Sequence, residues 1–411
     1  MRGLRLASVV SLLFAAACTA STPSASPAAR PSWQRLSCVS AVGSRPYASD
    51  APGFATRSWK TDFANHCVPL SEITSGGPPP DGIPPLDKPQ FYESARADKW
   101  LQPQEPVIAV AEGDEARAYP LQILIWHEIV NDTIAGRPIV VTFCPLCNTS
   151  LVFDRTVDGR ALTFGTTGNL RYSDLVMWDR ETQSWWQQAT GEAIVGELTG
   201  ARLTRIRALV VSYEEFKKAR PSGLVLSREA ANEEATRKSG SGRDYGRNPY
   251  AGYDRADTPP IPAFWGSTPI DRRLLPKARI AVVTFSQPPV AYPIDDLRAA
   301  TAVNDTVGGR SIVLLARRGV ASPLDAAVMR EGTEIGQATL FDRQLEGRTL
   351  TFRGSGSAFR DDETGSTWLV TGLAVSVPLA GKRLAALDHE VTFWFIWSVF
   401  RPDTEVRRPS P

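Results

Sequence analysis

Two cysteines, Cys144 and Cys147, separated by a proline and a leucine, are the residues in this sequence best suited to chemistry. A tight turn brings two such sulfurs to one side of the chain, where both can bind one metal ion as thiolates. His127 could supply a third ligand and Met177 a fourth, soft ligand. A Cys/Cys/His/Met set favours copper, and zinc is the main competitor because it usually takes cysteine and histidine without methionine.

The same two cysteines have other uses in an oxidising compartment. They could form a plain disulfide or act as a redox-active dithiol. A thioredoxin-type dithiol needs its first cysteine at a helix N-terminus, whereas residues 148–154 predict a turn into a strand. A single histidine on an apolar face is more often a core residue, and a single buried methionine usually only packs. No P-loop, dinucleotide fingerprint or nucleophile turn is present, so the catalytic residues stay unknown.

An internal repeat separates residues of the fold from residues of a site. Short segments within 118–141 recur within 291–314, 173 residues later, and segments within 153–164 recur within 341–352, 188 residues later. Many matches in one order predict a duplication. Residues present in both copies are then expected to build the fold, and residues present in one copy only become candidates for chemistry.

The candidate ligands occur in the first copy only. The second copy replaces them as follows: Ala300 for His127, Arg317 for Cys144, Val320 for Cys147 and Phe359 for Met177. Asn169, Arg171 and Asp174 also lack counterparts, and we interpret them as second-shell or substrate-contacting residues.

Two elements must position these side chains. Residues 139–143 predict a buried strand that delivers Cys144, and residues 121–130 predict a short helix with His127 on its inward face. A second helix is predicted over residues 213–219 and a strand over 224–226. The pattern predicts an α+β, strand-rich fold with two pseudo-equivalent lobes.

The chain is predicted to divide into six parts. These are a signal peptide with a lipobox (1–18), a flexible tether (19–32), an irregular N-terminal extension (33–95), a site-bearing first lobe (96–226), an inter-lobe excursion that could cover a site (227–276) and a degenerate second lobe (277–406).

The N-terminus predicts export. Arg2 and Arg5 precede an apolar stretch that ends in three alanines and Cys18, which resembles a bacterial lipobox and makes Cys18 the predicted lipidation site. An ordinary secretory signal cut nearby is the alternative, giving a secreted protein. The lipoprotein would be anchored on the extracytoplasmic side, with the membrane as a partner through the lipid alone.

Export also bears on the remaining cysteines and on the partners. Cys38 and Cys67 are expected to pair as a disulfide that staples the N-terminal extension. The sequence has 46 basic and 44 acidic residues, which gives no electrostatic reason to predict a nucleic-acid partner. A protein or small-molecule partner is not identified by the sequence.

Several segments together resemble a known family. They are Trp126–Asp132, Phe143–Cys147, Phe164–Leu170, Ser173–Met177 and Trp185–Gln188. This set is similar to DUF3179, a family of uncharacterised proteins, and the resemblance covers roughly residues 95 to 406. The family carries no established activity. The resemblance implies only that the histidine, the cysteine pair and the Ser173–Met177 block belong to its motif.

Three hypotheses follow. The first is an exported copper-binding protein with its site in the first lobe, acting in copper binding, delivery or copper-dependent oxidation. The second is a metal-free thiol–disulfide oxidoreductase using Cys144 and Cys147, and the third is a structural lipoprotein. Sulfurs about 3.5–4 Å apart, with an imidazole nitrogen of His127 and the Met177 thioether converging within about 4 Å, would favour the metal site. A distant His127 would rule out the first hypothesis as stated, and sulfurs about 2.05 Å apart would favour a disulfide.

Overall fold

The computed structural model describes residues 52–409, and all of these belong to one compact unit. The helices, in chain order, are α1 Ser94–Ala97, α2 Leu121–Leu124, α3 Tyr213–Ala219, α4 Arg228–Ser239, α5 Pro262–Trp265, α6 Ile294–Ala300 and α7 Trp394–Phe400, with 3-10 turns at Leu70–Glu72 and Met329–Glu331. No helix in this part of the chain combines the length and apolarity that a membrane crossing needs.

The strands outnumber the helices and are short. In chain order they are β1 Ile73–Ser75, β2 Phe91–Glu93, β3 Pro106–Glu112, β4 Glu115–Pro120, β5 Ile129–Ile134, β6 Arg137–Cys144, β7 Thr149–Asp154, β8 Thr156–Val157, β9 Arg160–Ala161, β10 Phe164–Arg171, β11 Asp174–Asp179, β12 Trp185–Gln187, β13 Glu192–Val195, β14 Thr204–Ile206, β15 Ala208–Ser212, β16 Leu224–Leu226, β17 Arg279–Val283, β18 Val290–Pro293, β19 Ala302–Val307, β20 Arg310–Arg317, β21 Gln337–Asp342, β22 Gln344–Leu345, β23 Arg348–Thr349, β24 Phe352–Ser355, β25 Ala358–Asp361, β26 Thr367–Trp368, β27 His389–Phe393 and β28 Glu405–Val406. The predicted strand-rich α+β class is confirmed.

The first lobe holds three main sheets. Their strand orders are β1-β10-β11-β12-β13, β14-β7-β6-β5 and β15-β3-β4-β16-β2. The second lobe holds the sheets β27-β17-β18-β28, β19-β20-β21 and β24-β25-β26. Within residues 52–409, none of these sheets takes strands from both lobes.

The same local structures recur in the two lobes. The β5–β6 hairpin turns at Ala135 and Gly136, and the β19–β20 hairpin turns at Gly308 and Gly309, all four with positive φ as a two-residue type I′ turn requires. One strand pairing in each lobe is parallel, β4 with β16 and β18 with β28, whereas the other pairings between these strands are antiparallel.

Side-chain hydrogen bonds recur as well. Tyr119 donates to Asp132 at 2.6 Å, and its counterpart Tyr292 donates to Asp305 at 2.6 Å. In the later part of each lobe, a tryptophan indole donates to a buried aspartate, at 2.9 Å from Trp186 to Asp179 and at 2.8 Å in the second lobe. These shared residues position strands in both lobes, which agrees with their interpretation as scaffold.

Two predicted segments differ from the structure. The helix predicted over residues 121–130 ends at Leu124, because Glu128 adopts a φ of 58° and the β-branched residues Ile129 and Val130 begin strand β5. The predicted inter-lobe excursion contains the 12-residue helix α4, which begins at the N-cap Ser227 and ends at Gly240 in the left-handed conformation.

The N-terminal extension is more regular than predicted in its described part. Strand β1 pairs antiparallel with β10, so that Ile73 lies opposite Arg171 and Ser75 opposite Asn169. Strand β2 closes the edge of another sheet by pairing with β16. The predicted signal peptide, its lipidation site Cys18, the tether and Cys38 lie outside the described residues.

Candidate metal centre

The two candidate thiols are delivered by the β6–β7 hairpin. Strand β6 ends at Cys144, which pairs with Thr149 across the ladder, and the loop between them makes a tight turn. The Cys147 amide donates to the Cys144 carbonyl at 3.2 Å, and Asn148 follows with a φ of 53°. Pro145 suits the second position of such a turn because its φ is fixed near −65°. The turn brings both sulfurs to the same side, as the sequence predicted.

A second hairpin brings a carboxylate to these sulfurs. Strands β10 and β11 are joined by Tyr172 and Ser173, which have φ values of 54° and 64°, and Asp174 is the first residue after this turn. Non-glycine residues in the left-handed region cost energy and often cluster at functional sites. The turn aims the Ser173 carbonyl at the thiols, with its oxygen 3.3 Å from the Cys147 sulfur.

Cys144, Cys147 and Asp174 form the group that could hold a metal ion. One ligand atom from each lies within 4.8 Å of the others. The two sulfurs are 2.9 Å apart, and the Cys147 thiol donates to Asp174 Oδ1 at 3.2 Å. Their separation exceeds the roughly 2.05 Å of a disulfide and falls short of the roughly 3.8 Å that two sulfurs take on tetrahedral zinc. Small rotations of the two cysteine side chains would therefore bring the sulfurs to the spacing of a disulfide or to that of a zinc site.

Burial favours the neutral forms of this group when no cation is bound. Cys144 is 2% exposed, and Cys147 and Asp174 are fully buried. Burial raises the pKa of both thiols and raises the pKa of the Asp174 carboxyl to about 6. A cation bound here would reverse these shifts, because it favours the charged forms of all three ligands.

Glu128 is a fourth acidic group at this place, and sequence reasoning missed it. It is 6% exposed, and burial together with the nearby charge of Asp174 raises its pKa to about 8. Its charge also acts on Cys144. One signal could have found it: the equivalent residue of the second copy, 173 positions later, is Thr301, so the carboxylate occurs in one copy only. Thr301 keeps the positive φ, at 62°.

Asp174 is held in place by a chain of polar groups. Its Oδ2 accepts hydrogen bonds from the Ala189 amide at 2.9 Å and from the Gln187 side chain. Arg171 donates to Gln187 Oε1 at 3.3 Å and forms an ion pair with Glu72 at 2.6 Å. Arg171 thus contacts Asp174 only through Gln187, and its second-shell role stays a prediction, whereas Asp174 belongs to the group that could hold a metal ion.

His127 is not brought together with the thiols. It lies after the end of α2, and its Nδ1 donates to the Pro84 carbonyl at 2.7 Å, while Nε2 bonds with the Tyr245 hydroxyl at 2.6 Å. Burial lowers its pKa to about 4, so the ring is neutral and both nitrogens are used. The prediction placed His127 near the sulfurs by assuming a helix through Val130, and the helix ends too early for that.

Met177 and Asn169 each have other neighbours. Met177 is fully buried in the hydrophobic cluster that also contains Cys144, Cys147 and Trp186. Three residues after Asp174 on β11, its side chain faces the opposite side of the strand from that carboxylate, and it pairs with Trp186. Asn169 lies in an irregular part of β10, and its side-chain amide donates a hydrogen bond to the Thr167 carbonyl at 3.3 Å. The predicted partner of Cys38, Cys67, lies near the carbonyls of β13, and that disulfide remains a prediction.

Distant parts of the chain cover the thiol turn. Tyr253 donates to the Leu146 carbonyl at 3.0 Å, and the Ser173 amide donates to the Phe264 carbonyl at 2.8 Å. From the second lobe, the Phe393 amide donates to the Cys147 carbonyl at 3.1 Å. Segments of the predicted excursion and of the second lobe therefore pack over the two buried thiols.

Comparison with known proteins identifies the family but no activity. A family profile described as "Protein of unknown function (DUF3179)" matches residues 80–404. No curated protein and no solved structure matches the chain significantly. The match covers most of the sequence, so the chain belongs to this family, as the sequence motifs predicted.

Proposed function

We propose that this DUF3179 protein binds one transition-metal ion through Cys144, Cys147 and Asp174. The observation that carries the proposal is the burial of these three acidic groups, with Glu128 beside them, in a place where no arginine or lysine of residues 52–409 forms an ion pair with either carboxylate. With a pKa of about 6, the Asp174 carboxyl is mostly ionised at neutral pH, and a buried charge needs a partner. A cation held by the deprotonated thiols would supply it.

Zinc fits this donor set better than copper. The copper preference rested on the soft sulfur of Met177 and on His127, and both ring nitrogens of His127 are bound to Pro84 and Tyr245 instead. Two thiolates and a carboxylate oxygen are all ordinary zinc ligands, whereas copper(I) favours sulfur and disfavours a hard oxygen. Three protein ligands leave one position of tetrahedral zinc open, which is typical of sites that transfer or activate rather than only stabilise.

We further propose that the protein does this outside the cytoplasm as a lipoprotein anchored through Cys18. This rests on the N-terminal sequence pattern alone. An extracytoplasmic protein with a buried thiolate site is suited to hold a metal ion.

A thiol–disulfide oxidoreductase is the second candidate, and the short distance between the two sulfurs favours it. Two observations weigh against it. The attacking group in such chemistry is a thiolate, and burial raises the pKa of both Cys144 and Cys147. Neither sulfur is exposed to a partner disulfide, since the side chains are at most 2% accessible.

The recurrence of strands and hydrogen bonds in the two lobes supports a duplication in which the second lobe lacks the site. At the positions equivalent to Glu128, Cys144 and Cys147, the second lobe carries Thr301, Arg317 and Val320. None of these is an acid or a thiol. The second lobe therefore retains scaffold and has no counterpart of the metal-binding group.

Metal content tests the proposal directly. The reduced, chelator-treated protein is reconstituted with zinc or copper(I), desalted and analysed by mass spectrometry beside the Cys144→Ser, Asp174→Asn and His127→Gln variants. We expect close to one zinc per wild-type chain, loss of metal in Cys144→Ser, and retention in His127→Gln. Asp158→Asn, in an exposed turn of the same lobe, is the matched control for Asp174→Asn.

Two results would overturn the proposal. One is a wild-type protein that retains neither metal while thiol titration finds Cys144 and Cys147 reduced. The other is a metal content that is the same in Cys144→Ser as in the wild type. Loss of metal in His127→Gln but not in Asp174→Asn would restore the donor set that the sequence predicted.

A further inference from the structure

We propose that the cavity between the two lobes is a second site, which binds a small organic carboxylate through Arg220 and Arg383. The cavity has a volume of about 700 Å³, within the range of small-molecule sites. No member of the metal-binding group lines it. The proposal is thus independent of the proposed metal centre.

Arginines dominate the polar part of the cavity wall. Six of them line it, and three have acidic partners: Arg137 pairs with Glu112 and Asp154, Arg205 with Asp388 and Glu390, and Arg310 with Asp342. The other three are Arg207, Arg220 and Arg383. Within residues 52–409, no carboxylate lies within 4.0 Å of their guanidinium groups. The wall therefore carries unbalanced positive charge.

Arg220 and Arg383 are the pair that matters most, because both are partly buried and close to each other. Burial lowers the pKa of Arg220, and burial together with the charge of Arg220 lowers the pKa of Arg383. Arginine remains protonated at any ordinary pH, so two like charges lie near each other at half-buried positions of the cavity wall. Arg383 donates to the Ala219 carbonyl at the end of α3, which is a neutral acceptor and leaves the charge unbalanced.

A second unused polar group lies in the same wall. The Thr371 hydroxyl is buried and has no hydrogen-bond partner among the described residues. Buried polar groups are nearly always paired, so an orphan in a cavity wall points to a ligand or to ordered water.

The remaining wall defines the other part of the ligand. Leu209, Phe216, Phe341, Leu384 and Leu387 give the cavity an apolar surface beside the arginines. Guanidinium groups bind carboxylates through paired, charge-assisted hydrogen bonds. An anion with an apolar body would satisfy both surfaces, whereas a small inorganic anion would leave the apolar surface in contact with water.

Calorimetric titration of the full-length protein with hexanoate tests this. We expect saturable binding that is weaker with acetate, with inorganic phosphate and with uncharged hexan-1-ol. Arg220→Gln and Arg383→Gln should each weaken hexanoate binding by about tenfold or more, since each removes hydrogen bonds to a charged group. Arg318→Gln removes the same charge at a residue outside the cavity, 82% exposed, and should leave binding unchanged.

A stability measurement guards against variants that lose binding by unfolding. Without ligand, Arg383→Gln should melt at the same temperature as the wild type or higher, because it relieves repulsion with Arg220. The proposal is overturned if hexanoate does not bind, if hexan-1-ol or phosphate binds as tightly, or if folded Arg220→Gln and Arg383→Gln bind hexanoate as the wild type does.

Discussion

Glu128 makes the metal-free protein less stable as the pH rises. Its carboxyl is 6% exposed, and its pKa is raised from the usual 4.5 to about 8. Because the folded state holds the proton more tightly than the unfolded state, this group destabilises the fold progressively as the pH rises from about 4.5 through about 8. The neutral variant Glu128→Gln keeps the size of the side chain and removes this dependence.

The magnitude follows from the two pKa values. At about pH 7.5 the ionisation of Glu128 lowers the free energy of unfolding by on the order of 4 kcal/mol, and at about pH 5 by on the order of 1 kcal/mol. Glu128→Gln should therefore be more stable than the wild type by a few kcal/mol at the higher pH and nearly equal to it at the lower pH. Asp174, with a pKa raised to about 6, adds a pH dependence of the same sign that the variant retains in part.

Urea unfolding at both pH values, with chelator and reductant present, measures these differences. Glu197→Gln changes an exposed glutamate of the same lobe and serves as the control. The reasoning is refuted if the wild type and Glu128→Gln lose the same stability between the two pH values, or if the variant is the less stable at pH 7.5. Saturating zinc should remove most of the difference, because a bound cation stabilises the charged carboxylate.

Three further substitutions test the scaffold, each by urea unfolding. Tyr119→Phe removes a hydroxyl that donates to the buried Asp132 carboxylate and should lower the free energy of unfolding by about 1–2 kcal/mol. A loss below a few tenths of a kcal/mol would contradict a stabilising hydrogen bond. Arg317→Met removes the closer cation of the buried Glu215, 3.0 Å away across the lobes, leaves Lys218 at 3.5 Å, and should cost about 2 kcal/mol. The double variant with Glu215→Met should recover most of that stability. If it does not, the loss in Arg317→Met does not come from the Arg317–Glu215 ion pair. Gly168→Ala would push a Cβ onto a backbone carbonyl oxygen and should cost more than about 3 kcal/mol, whereas Gly159→Ala, with open space and a similar φ, should cost about 1 kcal/mol.

Much of the fold could be predicted because local signals agreed with the tertiary structure. The helix Tyr213–Ala219 and the strand Leu224–Leu226 have the predicted bounds, and the Ile139–Phe143 run lies inside β6. In these segments the apolar pattern, the turn residues and the burial all favour one structure. The repeat further identified which residues belong to the scaffold, as the matching tyrosine–aspartate bonds illustrate.

The site was predicted only in part, because its members meet through turns that the apolar pattern does not encode. Cys144 and Cys147 were found from their spacing alone. His127 was assigned from helical periodicity, and the positive φ of Glu128 ended that helix and placed the histidine against Tyr245. Asp174 was assigned to an outer role, since nothing in the sequence shows that the Tyr172–Ser173 turn brings its carboxylate to the sulfurs.

The bond from Phe393 to the Cys147 carbonyl affects how the chain can be divided. A repeated sequence invites expression of each copy as a separate domain, with the first copy as a minimal metal-binding fragment. That fragment would lose the backbone donor on its thiol turn and the hydroxyl of Thr392, which bonds Thr149 at 2.7 Å. The two lobes are therefore not modular, because a backbone amide and a hydroxyl of the second lobe support the thiol turn of the first.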